Sequence, residues 1–170
     1  MENHLLEIEN VTSYLANNEF LINYIIEYSD LNQDNTERIK AGKNILYLIQ
    51  SMQQYNSSTE EIVLFIDNGF FTTNTTIYHK YYENDNIYSI GIQLRKMQES
   101  TFGEDRIKPI FIEPSASGTQ ISVESNMENI TGNNSLEDIP FKDKFYFFSA
   151  IRNQEDMYGS IFVIMKKDWM

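Results

Sequence analysis

The residue types that carry most enzyme chemistry are scarce in this chain. Cysteine is absent, which removes disulfides, thiolate nucleophiles and cysteine-based metal sites. The two histidines, His4 and His79, lie far apart in the sequence, and His4 is expected to belong to a frayed terminus. A zinc site needs three or four ligands, usually His or Cys, so we expect no metal site.

The usual motifs of nucleophilic and phosphate chemistry are missing as well. The sequence contains no G-x-S-x-G elbow for a nucleophilic serine and no glycine-rich phosphate-binding loop. Adjacent carboxylates occur, as at Glu60-Glu61, but such pairs are expected on a solvated face when a chain has 25 acidic residues. We therefore expect that the chain is not an enzyme and holds no cofactor.

One group of residues does indicate a site for a small molecule. It consists of four tyrosines followed by an arginine: Tyr78, Tyr81, Tyr82, Tyr88 and Arg95. Aromatic side chains with a few charged groups line many ligand pockets, and an arginine guanidinium can bind a carboxylate or phosphate through parallel hydrogen bonds. The alternative is that these tyrosines are half-buried core residues with solvated hydroxyl groups.

The charge balance limits the partners that the chain can bind. It has 13 basic and 25 acidic residues, a net charge of −12, and no Lys or Arg before Arg38. Such a surface repels nucleic-acid phosphates and anionic lipid headgroups. We therefore expect an unknown small-molecule ligand or a partner protein, no nucleic acid, and a link to a membrane only through flanking segments.

Helices are the first elements that must position these residues. Apolar residues recur at helical spacing from Asn3 to Ser29, with a polar gap at 17–19, which predicts a long helix or a helix pair. This apolar stripe can pack on the chain's own sheet or form the seam of a homodimer. A further helix is expected after a cap at Thr36, with these residues on one face: Ile39, Gly42, Ile45, Ile49 and Met52.

The rest of the chain is predicted to form strands. Glu61–Ile66, a turn at 67–69 and the following run to Thr73 predict a hairpin. The apolar runs Lys144–Ile151 and Tyr158–Met165 predict a closing hairpin in the centre of a sheet. Shorter elements are expected between the hairpins, namely a helix at Asn86–Glu99 and strands at Ile107–Glu113 and Gln120–Val123.

These elements predict a single α+β domain over residues 1–170. Residues 1–57 form its helical part and residues 58–170 its sheet part. The long N-terminal helix or helix pair is expected to pack on a roughly five-stranded antiparallel sheet.

Three parts of the sequence resemble a family of extracellular sensor domains. Tyr14–Tyr28 is similar to the helix that follows the membrane segment in Cache domains, which have a PAS-like fold. Ile62–Gly69 is similar to the first sheet strand and turn of that family. Phe145–Asn153 and Tyr158–Ile164 are similar to its closing hairpin. The chain thus resembles the extracellular Cache (PAS-like) sensor domain of a Firmicute sensor histidine kinase.

The resemblance implies a sensing function at the extracellular face of the cell membrane. A small molecule or partner would bind the PAS-like sheet and shift the last strand relative to the first helix, relaying the signal to a kinase. A ligand can do this only by binding two states with different affinities. The alternative is a cytoplasmic acidic immunity or inhibitor protein that masks a basic toxin, which the acidic N-terminal region favours.

The sensor hypothesis predicts what surrounds this sequence in its gene. We expect the reading frame to encode an apolar segment of about 20 residues on each side, the length that crosses a bilayer as a helix. Sequencing the locus tests this expectation. A frame that starts at Met1 and stops after Met170 would favour the inhibitor alternative instead.

Overall fold

Helices form the N-terminal part of the chain. The computed structural model describes residues 2–67, 69–74, 91–92, 94–96, 98–99, 108–114, 120–123, 126–129, 143–153 and 156–169. Its long helices are α1 (Glu2–Ala16), α2 (Glu19–Ser29) and α3 (Asn35–Tyr55). The described residues between 91 and 99 are also helical. Among all the described residues, no helix is long and apolar enough to cross a membrane.

The N-terminal helix is a helix pair that breaks at the polar gap at 17–19. Asn18 has extended backbone angles, φ −78° and ψ 113°, and its side-chain oxygen accepts a hydrogen bond of 2.9 Å from the Leu21 N–H. The first turn of a helix leaves its N–H groups without intrahelical partners, and a capping Asn satisfies one of them. The helix-pair form of the prediction is therefore confirmed.

The apolar stripe of α1 and α2 packs on the chain's own sheet. Its buried members form one core with α3 and with β-strand residues: Ile8, Val11, Leu15, Leu21, Ile25, Ile45, Ile49, Ile62, Leu64, Ile161 and Val163. Fully burying one such side chain stabilises the fold by about 1.5–3 kcal/mol. This contact is one of the two alternatives expected for the stripe, and it fixes α1 and α2 against the sheet.

Two details predicted for α3 are wrong. Asp34, and not Thr36, occupies the N-cap position, and it makes no side-chain capping hydrogen bond. Ile39 is 59% exposed, whereas Ile45 and Ile49 are buried. At 3.6 residues per turn, Ile39 points about 120° away from Ile45 around the helix axis. The buried face of α3 therefore runs through Ala41, Ile45 and Ile49 and does not include Ile39.

The strands form one antiparallel sheet in the order β2-β1-β7-β6-β3-β4-β5. Their bounds are β1 Thr59–Ile66, β2 Gly69–Thr72, β3 Ile110–Glu113, β4 Gln120–Val123, β5 Asn126–Asn129, β6 Tyr146–Asn153 and β7 Asp156–Met165. The α+β class, with helices on an antiparallel sheet, is confirmed. Five strands, from β2 to β3 in the sheet order, correspond to the expected sheet. The predicted short strand β4 pairs with β5, at a position where no strand was predicted.

Both predicted hairpins are present. In the first, Ile66 pairs with Gly69 across the turn. In the closing hairpin, pairing continues outward to Asn153 and Asp156, so the predicted polar turn region at 152–157 is shorter than expected. Gly159 sits where β7 meets β1, and a Cβ atom there would lie 2.4 Å from the carbonyl oxygen of Phe65. Only glycine allows this approach.

The two faces of the sheet bury different side chains. Because side chains alternate along a strand, Ile161 and Val163 point to the helices while Phe162 points to the opposite face. The Phe162 ring packs edge-on against Phe65 and Phe148 at centroid distances of 5.7 and 5.2 Å. Both sides of β7 are therefore buried, as the prediction of a central closing hairpin requires.

We predict that Asn18→Ala lowers the free energy of unfolding by about 1 kcal/mol, because it removes the cap of α2. Urea denaturation followed by circular dichroism measures the change. Asn23→Ala, at an exposed position inside α2, is the matched control and should leave stability unchanged or slightly raised. Equal destabilisation by both substitutions would contradict the assigned role of Asn18.

Candidate ligand-binding site

A cavity of about 310 Å³ opens on the sheet face that points away from α1–α3. It lies where the β1–β2 and β6–β7 hairpins turn, and β1, the helical segment at 91–95 and β7 each contribute to its described lining: Phe65, Ile66, Asp67, Gly91, Ile92, Arg95, Met157, Gly159 and Ser160. Pockets that hold small molecules begin at about 300 Å³. The cavity therefore has room for a small ligand.

Arg95 is the member of the predicted site that the structure places in this cavity. Its Nε donates a hydrogen bond of 2.9 Å to Oε1 of Glu99, and its Nη1 contacts the Met157 sulfur. Among the described residues, Nη2 of Arg95 has no hydrogen-bond partner. The other predicted site residues lie outside the described residues: Tyr78, Tyr81, Tyr82 and Tyr88.

Glu99 holds two cations at the rim of the cavity. Its Oε1 also accepts a hydrogen bond of 3.0 Å from Nη1 of Arg152 on β6, whose side chain is only 9% exposed. A charge this deeply buried has to be paired, and removing its partner is costly. The cluster thus ties the helical segment to β6.

The described lining of the cavity carries one cationic side chain, Arg95, and one carboxylate, Asp67. The Arg95 guanidinium is already oriented by Glu99, so binding through its remaining N–H groups has a reduced ordering cost. Asp67, which is exposed at the end of β1, supplies a carboxylate on another wall. The Ser160 side chain lies 3.0 Å from the position that a Cβ on Gly91 would occupy, so the helical segment approaches β7 closely here.

A buried amide, Gln98, fixes the helical segment at the point where β3 and β6 stop pairing. The last registered pair is Ile110 with Phe148, and two residues further Lys108 faces Ala150. Gln98 stands between them: its Nε2 donates to the Lys108 carbonyl oxygen, and its Oε1 accepts from the Ala150 N–H at 3.0 Å. The amide therefore bonds the two backbone groups that a direct pair between the strands would otherwise join. In the sequence, the only indication of this role is that residue 98 is polar although it lies inside a predicted helix.

A second polar cluster joins α1 to the start of β1. His4 Nδ1 lies 2.7 Å from the Ser58 hydroxyl, which donates a 2.7 Å hydrogen bond to Oε2 of Glu7. The expectation that His4 is frayed is wrong, because these long-range contacts hold it. Ser58, the residue that precedes β1, is fully buried and bonds two side chains of α1. The cluster is therefore a structural tie.

The described residues show no metal site. They contain no group of three or more His, Cys, Asp or Glu side chains that could hold a metal ion. His79 lies outside them. Burial raises the pKa of the Tyr146 phenol, which lies under the aromatic cluster of β7, so this group stays protonated.

We predict that Gln98→Leu destabilises the chain by about 1–3 kcal/mol for each buried backbone group that loses its partner. Lys96→Leu, on the exposed side of the same segment, is the matched control and should stay within about 0.5 kcal/mol of the wild type. Urea denaturation measures both. The Ala150 amide should also exchange with deuterium faster in Gln98→Leu, while Phe148 stays protected; unchanged exchange at Ala150 would contradict the bridging role.

Comparison with known proteins adds no family to this geometry. No protein-family model matches the chain, and no curated protein matches it at a significant level. What the chain does must therefore be inferred from the cavity and from the elements that surround it.

Proposed function

We propose that this chain is the extracellular signal-sensing domain of a membrane-bound sensor histidine kinase, and that it binds a small anionic molecule beside Arg95. The observation that carries the proposal is the double role of β7. Gly159 and Ser160 of this strand line the cavity, whereas Ile161 and Val163 belong to the core shared with the N-terminal helices. A ligand in the cavity therefore acts on the same strand that supports α1.

Strand β7 connects the cavity, at Gly159 and Ser160, to contacts with α1 further along the strand and at its end. After β7, the Lys166 N–H donates a 3.0 Å hydrogen bond to the carbonyl oxygen of Ser58. The Ser58 hydroxyl is in turn bonded to Glu7 and His4 of α1. A displacement of β7 along its axis changes both its packing on α1 and this tie, and small shifts of packed elements are a common form of switching.

Binding must also distinguish two states of the domain. A ligand shifts an equilibrium only by the difference between its affinities for the two states. We propose that Arg95 supplies this difference, because one Glu99 carboxylate contacts both Arg95 in the cavity wall and Arg152 on β6. An anion that binds Arg95 changes the field around Glu99 and hence the attachment of the helical segment to the sheet.

We predict that a small anionic ligand raises the melting temperature of the wild-type chain in a thermal-shift screen of carboxylates and phosphates. At 100 times its dissociation constant, a ligand stabilises the folded state by about 2.7 kcal/mol. Arg95→Gln should weaken binding about 10- to 100-fold, because a hydrogen bond to a charged group contributes about 1.5–3 kcal/mol. The amides of α1 should show altered hydrogen exchange when the ligand is bound.

Lys96→Gln is the matched control for that experiment. It removes the same charge from the neighbouring residue, which is exposed, so the affinity should equal that of the wild type. The proposal fails if no anion of the panel stabilises the chain. It also fails if Arg95→Gln and Lys96→Gln bind the ligand equally well, since binding would then depend on net charge and not on the cavity.

A further inference from the structure

The junction of α1 and α2 presents an open groove with two exposed aromatic side chains. The groove encloses about 520 Å³ and is lined by Ser13, Tyr14, Asn17, Asn18, Glu19 and Phe20. Tyr14 is 51% and Phe20 68% exposed. Grouped exposed aromatics of this kind mark contact sites for other molecules more often than isolated ones do. The groove lies on the helices, whereas the ligand cavity lies on the other face of the sheet.

The backbone holds these two aromatic side chains in a fixed arrangement. Asn18, which is 9% exposed, caps α2, and Leu15 and Leu21 on either side of it are fully buried in the core. Tyr14 and Phe20 therefore project from helix ends whose positions are set by the sheet. A surface that is already ordered loses less conformational entropy when a partner binds.

The charges of helices α1 and α2 determine which class of partner can bind in the groove. Helices α1 and α2 contain no Lys or Arg and carry five glutamates, of which Glu19 lines the groove. A second copy in a two-fold contact would bring another pair of helices without Lys or Arg against these, which costs free energy through like-charge repulsion. Anionic lipids and nucleic acids are repelled for the same reason.

We propose that the α1–α2 groove docks a cationic segment of a protein partner. An apolar side chain of that segment lies between Tyr14 and Phe20, and a lysine or arginine side chain lies beside Glu19. The faces of the two aromatic rings add attraction for this cation. Opposite charges on the two surfaces would also speed the encounter, so the association should weaken as salt is added.

The test uses the full chain and a labelled, helix-forming peptide of lysine and leucine with one apolar face. Fluorescence anisotropy measures its affinity for the wild type and for two double variants with unchanged circular dichroism. Tyr14→Ser with Phe20→Ser should weaken binding about tenfold or more, as expected for truncation of two buried aromatic contacts. Tyr47→Ser with Tyr55→Ser removes two aromatics of α3 that are even more exposed, 75% and 89%, and should bind like the wild type.

Several outcomes would overturn the proposal. The peptide could fail to bind, or a lysine and serine peptide of equal charge could bind as tightly, which would leave only unspecific attraction. Equal losses in the two double variants would exclude the groove as the contact. Light scattering that shows a dimer of the wild type, dissociated by Tyr14→Ser with Phe20→Ser, would identify a second copy as the occupant. None of these results bears on Arg95, so the ligand proposal stands or falls separately.

Discussion

The close pairing of β7 with β1 is the contact on which the rest of the structure depends. Phe65 pairs with Ser160, and the absence of a side chain at Gly159 lets the two backbones approach there. With β6 on its other side, β7 lies in the middle of the sheet. A strand in this position has both faces covered, so it needs apolar side chains in both directions, and Phe162 and Val163 supply them.

The two faces of β7 are covered by different elements, which make different kinds of contact. The helices α1–α3 cover one face through a continuous apolar core. On the other face, the described part of the helical segment is fixed by polar groups: Gln98 completes the edge of β6, and Glu99 holds Arg95 and Arg152. Apolar packing has no preferred direction, whereas hydrogen bonds and ion pairs have discrete partners. The cavity beside Arg95 therefore lies on the side of the sheet where polar contacts with discrete partners add to the apolar packing.

The sequence predicted the elements better than their contacts. Periodicity located the helix pair, the first hairpin and the closing hairpin, because each buries a face whose spacing is visible over many residues. It placed Ile39 in the core wrongly, since a stripe read at steps of three residues drifts around the helix. Arg95 was found through its charge. The roles of Gln98 and of the His4–Ser58–Glu7 tie were missed because they depend on residues about 50 positions apart, which no local pattern reveals.

The pairing of β1 with β7 also has a consequence for how the chain folds. Glu61 and Ile164 are neighbours in the sheet although about a hundred residues separate them, a non-local topology of the kind that folds slowly. The closing hairpin and α1–α3 form from local contacts, so β1 gains its central partner only after the long intervening segment has been synthesised. Yet the entropic free-energy cost of closing such a loop increases by only about 0.6 kcal/mol for each doubling of its length. Insertions and deletions between β2 and β6 that leave the helical segment at 91–99 and strands β3–β5 in place should therefore add little to the free-energy cost of closing this loop.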